Sequence, residues 1–162
     1  MEETVLQVRQ LKKYYPWKKN KVKAVDGVEF DIKKGEMVSI VGESGCGKST
    51  LARCIIRLEE ATGGQVIFDG EDITFLEHRK MRPVYEKMQM VFQNPYAAFN
   101  PRQSIGAALK EGGHFYKMKS DEIDKRIETL LSYVNISGEL LTRYSRELSG
   151  GQLQRLAIAR AL

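Results

Sequence analysis

The chain has 162 residues, of which 42% are hydrophobic and 29% are charged, and its formal net charge is +5. This length and composition are typical of one soluble globular domain with its own core. No stretch approaches the roughly 18 apolar residues of a membrane span, and the N-terminus has no basic segment before an apolar run. Cys46 and Cys54 have no metal-binding spacing and lie too far apart to pair easily, which favours a reducing cytosol.

The positive charge is concentrated near the N-terminus. Six lysines fall within twelve residues: Lys12, Lys13, Lys18, Lys19, Lys21 and Lys23. A surface for nucleic acid or anionic lipid is one interpretation. The interpretation we favour is a solvated hairpin loop whose lysines keep a sheet edge from pairing with other chains. We therefore expect no nucleic-acid partner.

The first part of the chain has the pattern of a β-rich region. Short apolar runs predict strands at residues 5–8, 24–32, 36–41, 65–68 and 88–92. Turn residues separate these strands. They are Lys33-Lys34-Gly35, Gly63-Gly64 at the opening of the fourth strand, Asp69-Gly70, and Gln93-Asn94-Pro95.

The second part has helical periodicity. A helix is predicted from Ser104 to Glu111, ended by Gly112-Gly113. Ser120 is predicted to cap a second helix, and Gly138 to end that region. Its apolar face consists of Ile123, Ile127, Leu130, Leu131 and Val134. A third helical pattern begins at Gln152 and is still running at Leu162, which we interpret as a sign that the chain is cut short or that part of the fold is lost.

The most informative segment is a glycine-rich loop that fits the pattern G-x-x-x-x-G-K-[ST]. It consists of Gly42, Glu43, Ser44, Gly45, Cys46, Gly47, Lys48, Ser49 and Thr50. In such a loop backbone N–H groups turn towards a phosphate chain, the lysine reaches the β- and γ-phosphates, and the serine hydroxyl binds Mg²⁺. A strand before the loop and an amphipathic helix after it, with Leu51, Cys54, Ile55 and Leu58 on one face, supply the expected context. A glycine-rich turn with an incidental lysine is the alternative.

A second motif lies near the C-terminus. Ser149 and Gln152 have the spacing of a capping box, which is a purely structural explanation. That explanation does not cover Gly150 and Gly151, because each glycine in a first helical turn costs about 1 kcal/mol relative to alanine. A molecule that approaches the backbone closely explains them better, so the motif predicts a second anion site at a helix N-terminus.

With the segment 148–152 and the following Gln154-Arg155 and 157–162, the chain resembles the nucleotide-binding subunits of ABC transporters over nearly its whole length. The resemblance implies an α/β P-loop NTPase fold. Such a fold would comprise an N-terminal antiparallel β subdomain with the P-loop core (about 1–93), a helical subdomain (about 94–148) and the signature helix (149–162). The parallel core sheet would be incomplete.

The resemblance also implies ATP and Mg²⁺ as ligands, and a head-to-tail dimer with a second such subunit. In that dimer Ser149, Gly150, Gly151 and Gln152 would act in trans on the partner's ATP. Gln93 matches a glutamine that ligates Mg²⁺ and orients water. Tyr15 is similar to the aromatic residue that stacks on adenine, although its neighbour Tyr14 and a core-facing role both remain open.

Further similarity in the segments 15–16, 23–28, 42–50 and 91–102 points to the oligopeptide, dipeptide and nickel importer branch. This implies integral membrane permease partners and a peripheral position on the cytoplasmic face of the membrane. A nucleotide-binding fragment without turnover and a non-transport ABC ATPase are the alternative functions.

The chain departs from the family pattern after the signature helix. It contains no Walker B strand ending in Asp, no adjacent catalytic Glu, no D-loop and no switch histidine, since His78 and His114 precede the signature and are expected on the surface. We therefore expect this chain to bind ATP without hydrolysing it. We also expect the apolar face of the 120–134 region to be partly uncovered, with marginal stability or self-association as the result.

Overall fold

The computed structural model describes residues 3–18 and 20–162, so Lys19 of the lysine-rich segment lies outside the described residues. The chain divides into two compact units, Met1–Met88 and Gln89–Leu162. Each unit is described by itself.

The first unit contains a four-stranded antiparallel sheet. Its strands are β1 (Thr4–Trp17), β2 (Asn20–Lys33), β3 (Gly63–Phe68) and β4 (Glu71–Asp72), in the order β2-β1-β3-β4. Four lysines of the lysine-rich segment lie in the paired strands of the long β1–β2 hairpin, as the solvated-hairpin interpretation predicted: Lys12, Lys13, Lys21 and Lys23.

Two places in this sheet depend on a left-handed backbone conformation, one in a turn and one inside a strand. Asp69 and Gly70 have φ of 49° and 81° and join β3 to β4, which confirms the predicted turn. Gly64, near the start of β3, has φ of 86°, and a Cβ there would lie 2.3 Å from the carbonyl oxygen of Gln10. Glycine is therefore required where β3 comes close to β1.

Helix α1 (Lys48–Ile55) packs against this sheet, and α2 (Arg82–Lys87) follows a 3₁₀ turn at His78–Met81. The core of the unit joins sheet residues to α1 and includes Val8, Leu11, Val66, Leu51, Cys54 and Ile73. The prediction that Leu58 belongs to the apolar face of α1 is wrong, because Leu58 is 53% exposed. The helix ends at Ile55, and the positive φ of Arg57 (60°) turns the chain away before Leu58.

Two predicted strands are also wrong. Residues 36–41 and 88–92 carry no strand assignment, and all strand pairs among the described residues are antiparallel, so no parallel core sheet is seen there. Met37 and Val41 are 93% and 91% exposed. An apolar run indicates that a segment is hydrophobic. A strand also needs a neighbouring strand with which its backbone forms hydrogen bonds.

The second unit is helical, as predicted. It contains α3 (Ile105–Phe115), α4 (Ser120–Tyr133) and α5 (Gly150–Ala161), with 3₁₀ turns at Pro95–Ala98, Gly138–Thr142 and Ser145–Glu147. Gly138 thus begins a short turn, whereas the helix before it already ends at Tyr133. The core joins all three helices and includes Ile105, Leu109, Ile127, Leu131, Leu153 and Leu156.

Two predicted helix boundaries in this unit are wrong. Gly112 and Gly113 do not end α3, which continues to Phe115. A Cβ on Gly113 would lie 2.5 Å from Cγ1 of Ile123, so this glycine lets α3 and α4 approach closely. Ser120 is not the cap of α4. The N-cap is Lys119, whose backbone N–H donates to the Glu122 carboxylate at 3.1 Å.

The apolar face of α4 is covered, contrary to expectation. Four of its five predicted members are buried: Ile123, Ile127, Leu130 and Leu131. Val134 is half-buried. Contacts with α3 and α5 supply this burial.

Candidate functional site

The glycine-rich loop connects the extended segment 36–41 to α1, and its conformation needs glycine at two positions. Gly45 and Gly47 have φ of 82° and 98°. A Cβ on Gly47 would lie only 2.0 Å from the carbonyl oxygen of Ala24 in β2. No other residue fits there, and the loop therefore presents bare backbone at the start of α1.

Lys48, the first residue of α1, folds back over the loop. Its ammonium group donates to the carbonyl oxygens of Gly42 at 2.8 Å and Glu43 at 2.6 Å, and lies 3.5 Å from the Cys46 sulfur. A positive charge is thereby held inside the loop, next to the positive end of the α1 dipole.

The N-terminus of α1 also suits an anion. Within the described helix Lys48–Ile55 no side chain caps the first turn, and no acidic residue lies in it. Backbone N–H groups that no side chain occupies, together with Lys48, are the donor set that phosphate oxygens prefer. The residues present therefore fit a phosphate group.

The described residues contain no cluster of three His, Cys, Asp or Glu side chains that could hold a metal by themselves. A Mg²⁺ ion bound through phosphates needs only one or two protein ligands. Ser49 is exposed in the first turn of α1, and its hydroxyl oxygen is suited to be one of these ligands.

The two tyrosines of β1 make different contacts. The Tyr14 hydroxyl donates to Asp26, and the Lys23 ammonium lies 5.5 Å from the Tyr14 ring centre. The Tyr15 hydroxyl donates instead to Glu59, after α1, and the Thr50 side chain is near enough to lower the pKa of that hydroxyl. Because Thr50 belongs to the glycine-rich loop motif, Tyr15 is the tyrosine that reaches the loop.

The environment of Tyr15 raises the pKa of its hydroxyl. Burial is the largest cause and the hydrogen bond to Glu59 adds to it, whereas the Thr50 side chain lowers the pKa. Burial likewise raises the pKa of the neighbouring Cys54 thiol. Both groups are thus held in their neutral forms.

The second motif starts α5. The hydroxyl of Ser149 accepts the backbone N–H of Gln152 at 3.3 Å, and the Gln152 side-chain oxygen accepts the N–H of Ser149 at 3.0 Å. This confirms the capping box. A Cβ on Gly150 or Gly151 would meet nothing within 4 Å in the described chain, so nothing in this chain explains the two glycines.

Gln93 is exposed and precedes the Pro95–Ala98 turn, where the Asn94 side chain accepts the N–H of Tyr96 at 3.1 Å. Gln93 and the Ser149–Gln152 motif belong to the second unit, whereas the loop and Tyr15 belong to the first. A shared magnesium site of Ser49 and Gln93 stays a prediction.

Sequence reasoning missed two residues around Tyr15. Lys13 places its ammonium 4.9 Å from the Tyr15 ring centre, and Glu59 accepts the hydroxyl. The two-residue spacing of Lys13 and Tyr15 along a strand was a usable signal. For Glu59 there was none, because 44 residues separate it from Tyr15.

Comparison with known proteins decides the family. The model of the ABC transporter family matches residues 25–162. The chain belongs to the ABC transporter family. This confirms the resemblance that the two motifs suggested.

Curated relatives of this ABC transporter chain include two Bacillus subtilis proteins. The oligopeptide transport ATP-binding protein AppF is 46% identical over 99% of this chain and 52% of its own length. The oligopeptide transport ATP-binding protein OppF is 46% identical over 100% of this chain and 54% of its own length. The chain thus spans about half the length of the curated relatives it matches.

Solved structures agree on the fold. The dimeric ATP-binding cassette MJ0796, bound to ADP and Pi, is 30% identical with a TM-score of 0.88, covering 97% of this chain and 68% of that one. The protein cbiO1 of Clostridium perfringens, part of the ABC transporter complex cbiONQ, is 29% identical with a TM-score of 0.77, covering 99% of this chain and 61% of that one. The α/β P-loop NTPase fold of ABC type is therefore confirmed.

In the described part of the chain, every helix is too short or too polar to cross a membrane.

Proposed function

We propose that this chain binds ATP with Mg²⁺ through the loop 42–50 and serves as the ATP-binding subunit of an importer for peptides or a related small solute. One observation carries the binding claim: the Lys48 ammonium sits inside a glycine-rich loop at the uncapped start of α1. A triphosphate supplies oxygens that can replace the carbonyl partners of this ammonium and accept the free N–H groups.

The other residues have distinct roles in the proposal. Ser49 and Gln93 hold Mg²⁺, which when bound neutralises part of the phosphate charge. Tyr15 stacks on the adenine, a contact that provides about 1 kcal/mol or more. The contact of Tyr15 with Thr50 supports this choice over Tyr14.

Ser149, Gly150, Gly151 and Gln152 complete the site of a second ABC subunit in a head-to-tail dimer. The open space around both glycines supports this role, because a partner's phosphate can then approach the helix N-terminus. The dimeric state named for the MJ0796 cassette is consistent with it.

The transport role rests on the relatives. AppF and OppF are named as oligopeptide transport ATP-binding proteins. By analogy, integral membrane permease subunits are the further partners, and they hold the chain at the cytoplasmic face of the membrane.

Calorimetric titration with MgATP tests the binding claim. We expect saturable binding by the 162-residue chain, and at least a tenfold weaker Kd for Lys48→Ala, because a charge-assisted contact to phosphate is lost. Lys80→Ala, at an exposed position of the same unit, is the matched control and should bind as the wild type does. Equal affinity of the Lys48→Ala and Lys80→Ala variants would overturn the proposal.

A further inference from the structure

Glu59 is an acidic residue to which the family assignment gives no role. One carboxylate oxygen accepts the Tyr15 hydroxyl. The other, Oε2, is buried and has no hydrogen-bond partner within the described residues. A buried carboxylate oxygen without a partner costs free energy, so something must favour keeping the acid at this position.

The backbone of Glu59 belongs to the end of the loop's own helix. Its N–H donates to the carbonyl oxygen of Arg53 at 3.2 Å, and the N–H of Leu58 donates to the same oxygen at 2.9 Å. Arg53 lies in the last turn of α1. Glu59 is thus attached to the C-terminal end of the helix whose first residue is Lys48.

Three further hydrogen bonds attach β1 to the residues that follow Glu59. The Lys13 ammonium donates to the carbonyl oxygen of Glu60 at 2.7 Å while lying over the Tyr15 ring. The N–H of Tyr14 donates to the Thr62 hydroxyl at 3.2 Å, and the N–H of Thr62 donates to the carbonyl oxygen of Lys12 at 2.8 Å.

The ring of Tyr15 is consequently fixed from two directions. Its hydroxyl is held by Glu59, and one of its faces is covered by the Lys13 ammonium. A flat ligand can then stack only on the opposite face, and the ring is already oriented before that ligand arrives. Orientation before binding removes an entropy cost from the binding step.

We infer that Glu59 is a positioning residue for base recognition: by holding the Tyr15 hydroxyl, it orients the ring on which the base of a nucleotide stacks. Glu59 itself does not touch the nucleotide. The inference rests on the proposed ATP-binding function, and it predicts that Glu59 affects the part of the affinity that depends on the base.

The test compares MgATP with magnesium tripolyphosphate, which has the phosphates but no base, in calorimetric titrations of the full chain. We expect Glu59→Ala to weaken ATP binding about fivefold, because one charge-assisted hydrogen bond that orients the ring is lost. Tripolyphosphate binding should stay within about twofold of the wild type, whereas a merely structural loss would weaken both ligands alike.

Three variants sharpen the test. Glu59→Gln keeps an acceptor oxygen and should restore most of the ATP affinity. Glu60→Ala is the matched control, because only its backbone carbonyl takes part, and it should behave as the wild type does. Tyr15→Phe removes the other side of the same hydrogen bond, so it should reproduce Glu59→Ala and add nothing when the two are combined.

Equal losses for both ligands in Glu59→Ala, or additive losses in the double variant, would overturn the inference. So would a wild type that binds tripolyphosphate as tightly as ATP, since the base would then contribute nothing. Failure of the wild type to bind either ligand would instead overturn the proposed function, and this inference with it.

Discussion

Ser149 and Gln152 hold each other's backbone N–H groups, with the Ser149 hydroxyl accepting at 3.3 Å and the Gln152 side-chain oxygen accepting at 3.0 Å. The two residues between them, Gly150 and Gly151, have open space where their side chains would be. Hydrogen bonds therefore hold the first turn of α5 at Ser149 and Gln152, and the backbone between them is exposed at Gly150 and Gly151.

Ser149→Ala should separate the capping role from the proposed role in a partner's site. Loss of the cap is expected to lower the free energy of unfolding by about 1 kcal/mol. Ser104→Ala is the matched control, because Ser104 caps α3 and accepts the N–H of Ala107 at the same 3.3 Å. Urea unfolding should show similar losses, but only Ser149→Ala should reduce ATP-dependent association in sedimentation velocity. Equal association by both variants would contradict the role in trans.

Gly151→Ala should change stability and association in opposite directions. Alanine favours a helix over glycine by about 1 kcal/mol, and the added methyl group meets nothing in this chain, so the isolated chain should become slightly more stable. The same methyl group would occupy the path of a partner's phosphate and weaken ATP-dependent association. Unimpaired association alongside raised stability would show that nothing approaches the backbone at this position.

Gly112→Ala and Gly113→Ala form a matched pair in the last turn of α3. The methyl group of Gly113→Ala would lie 2.5 Å from Cγ1 of Ile123, whereas that of Gly112→Ala would meet nothing within 4 Å. We expect Gly113→Ala to destabilise the chain by about 1 to 3 kcal/mol through overpacking, and Gly112→Ala to be neutral or stabilising. Urea unfolding midpoints measure the difference. Similar midpoints for the two variants would contradict the close contact of α3 and α4.

As the pH rises, the chain should begin to lose stability at a lower pH than the deprotonation of its lysines alone would cause. The pKa of the Cys54 thiol is raised from its ordinary 9.0, and that of the Tyr15 hydroxyl from its ordinary 10.0. Above these values the unfolded chain loses protons that the folded chain keeps, so the free energy of unfolding falls as pH rises. Urea unfolding between about pH 8 and 11 should show this fall, and Tyr15→Phe should reduce its slope above about pH 10. An unchanged slope in Tyr15→Phe would count against the half-buried hydrogen bond between Tyr15 and Glu59.

The sequence predicted features that depend on neighbouring residues. The Asp69-Gly70 turn, the strand that opens at Gly63, and the capping box of Ser149 and Gln152 are all confirmed. Each is decided by backbone preference or by a contact within a few residues, so the chemistry of those residues alone suffices.

Features that depend on distant partners were predicted less well. The run 36–41 has the composition of a strand but no pairing partner among the described residues. Gly113 looked like a helix terminator, although its role is to make room for Ile123 of α4. In the candidate site the loop around Lys48 was predictable from its spacing, whereas the bond between Tyr15 and Glu59 spans 44 residues and carries no local signal.

The central claim is that the loop 42–50 and its Lys48 hold the phosphates of ATP. Amide hydrogen exchange of the full chain with and without MgATP measures this residue by residue, because N–H groups that bind phosphate become protected. We predict protection of the amides of 42–50 that Lys48→Ala abolishes. Saturating ATP that leaves these amides unprotected, or protects only another part of the chain, would contradict the account.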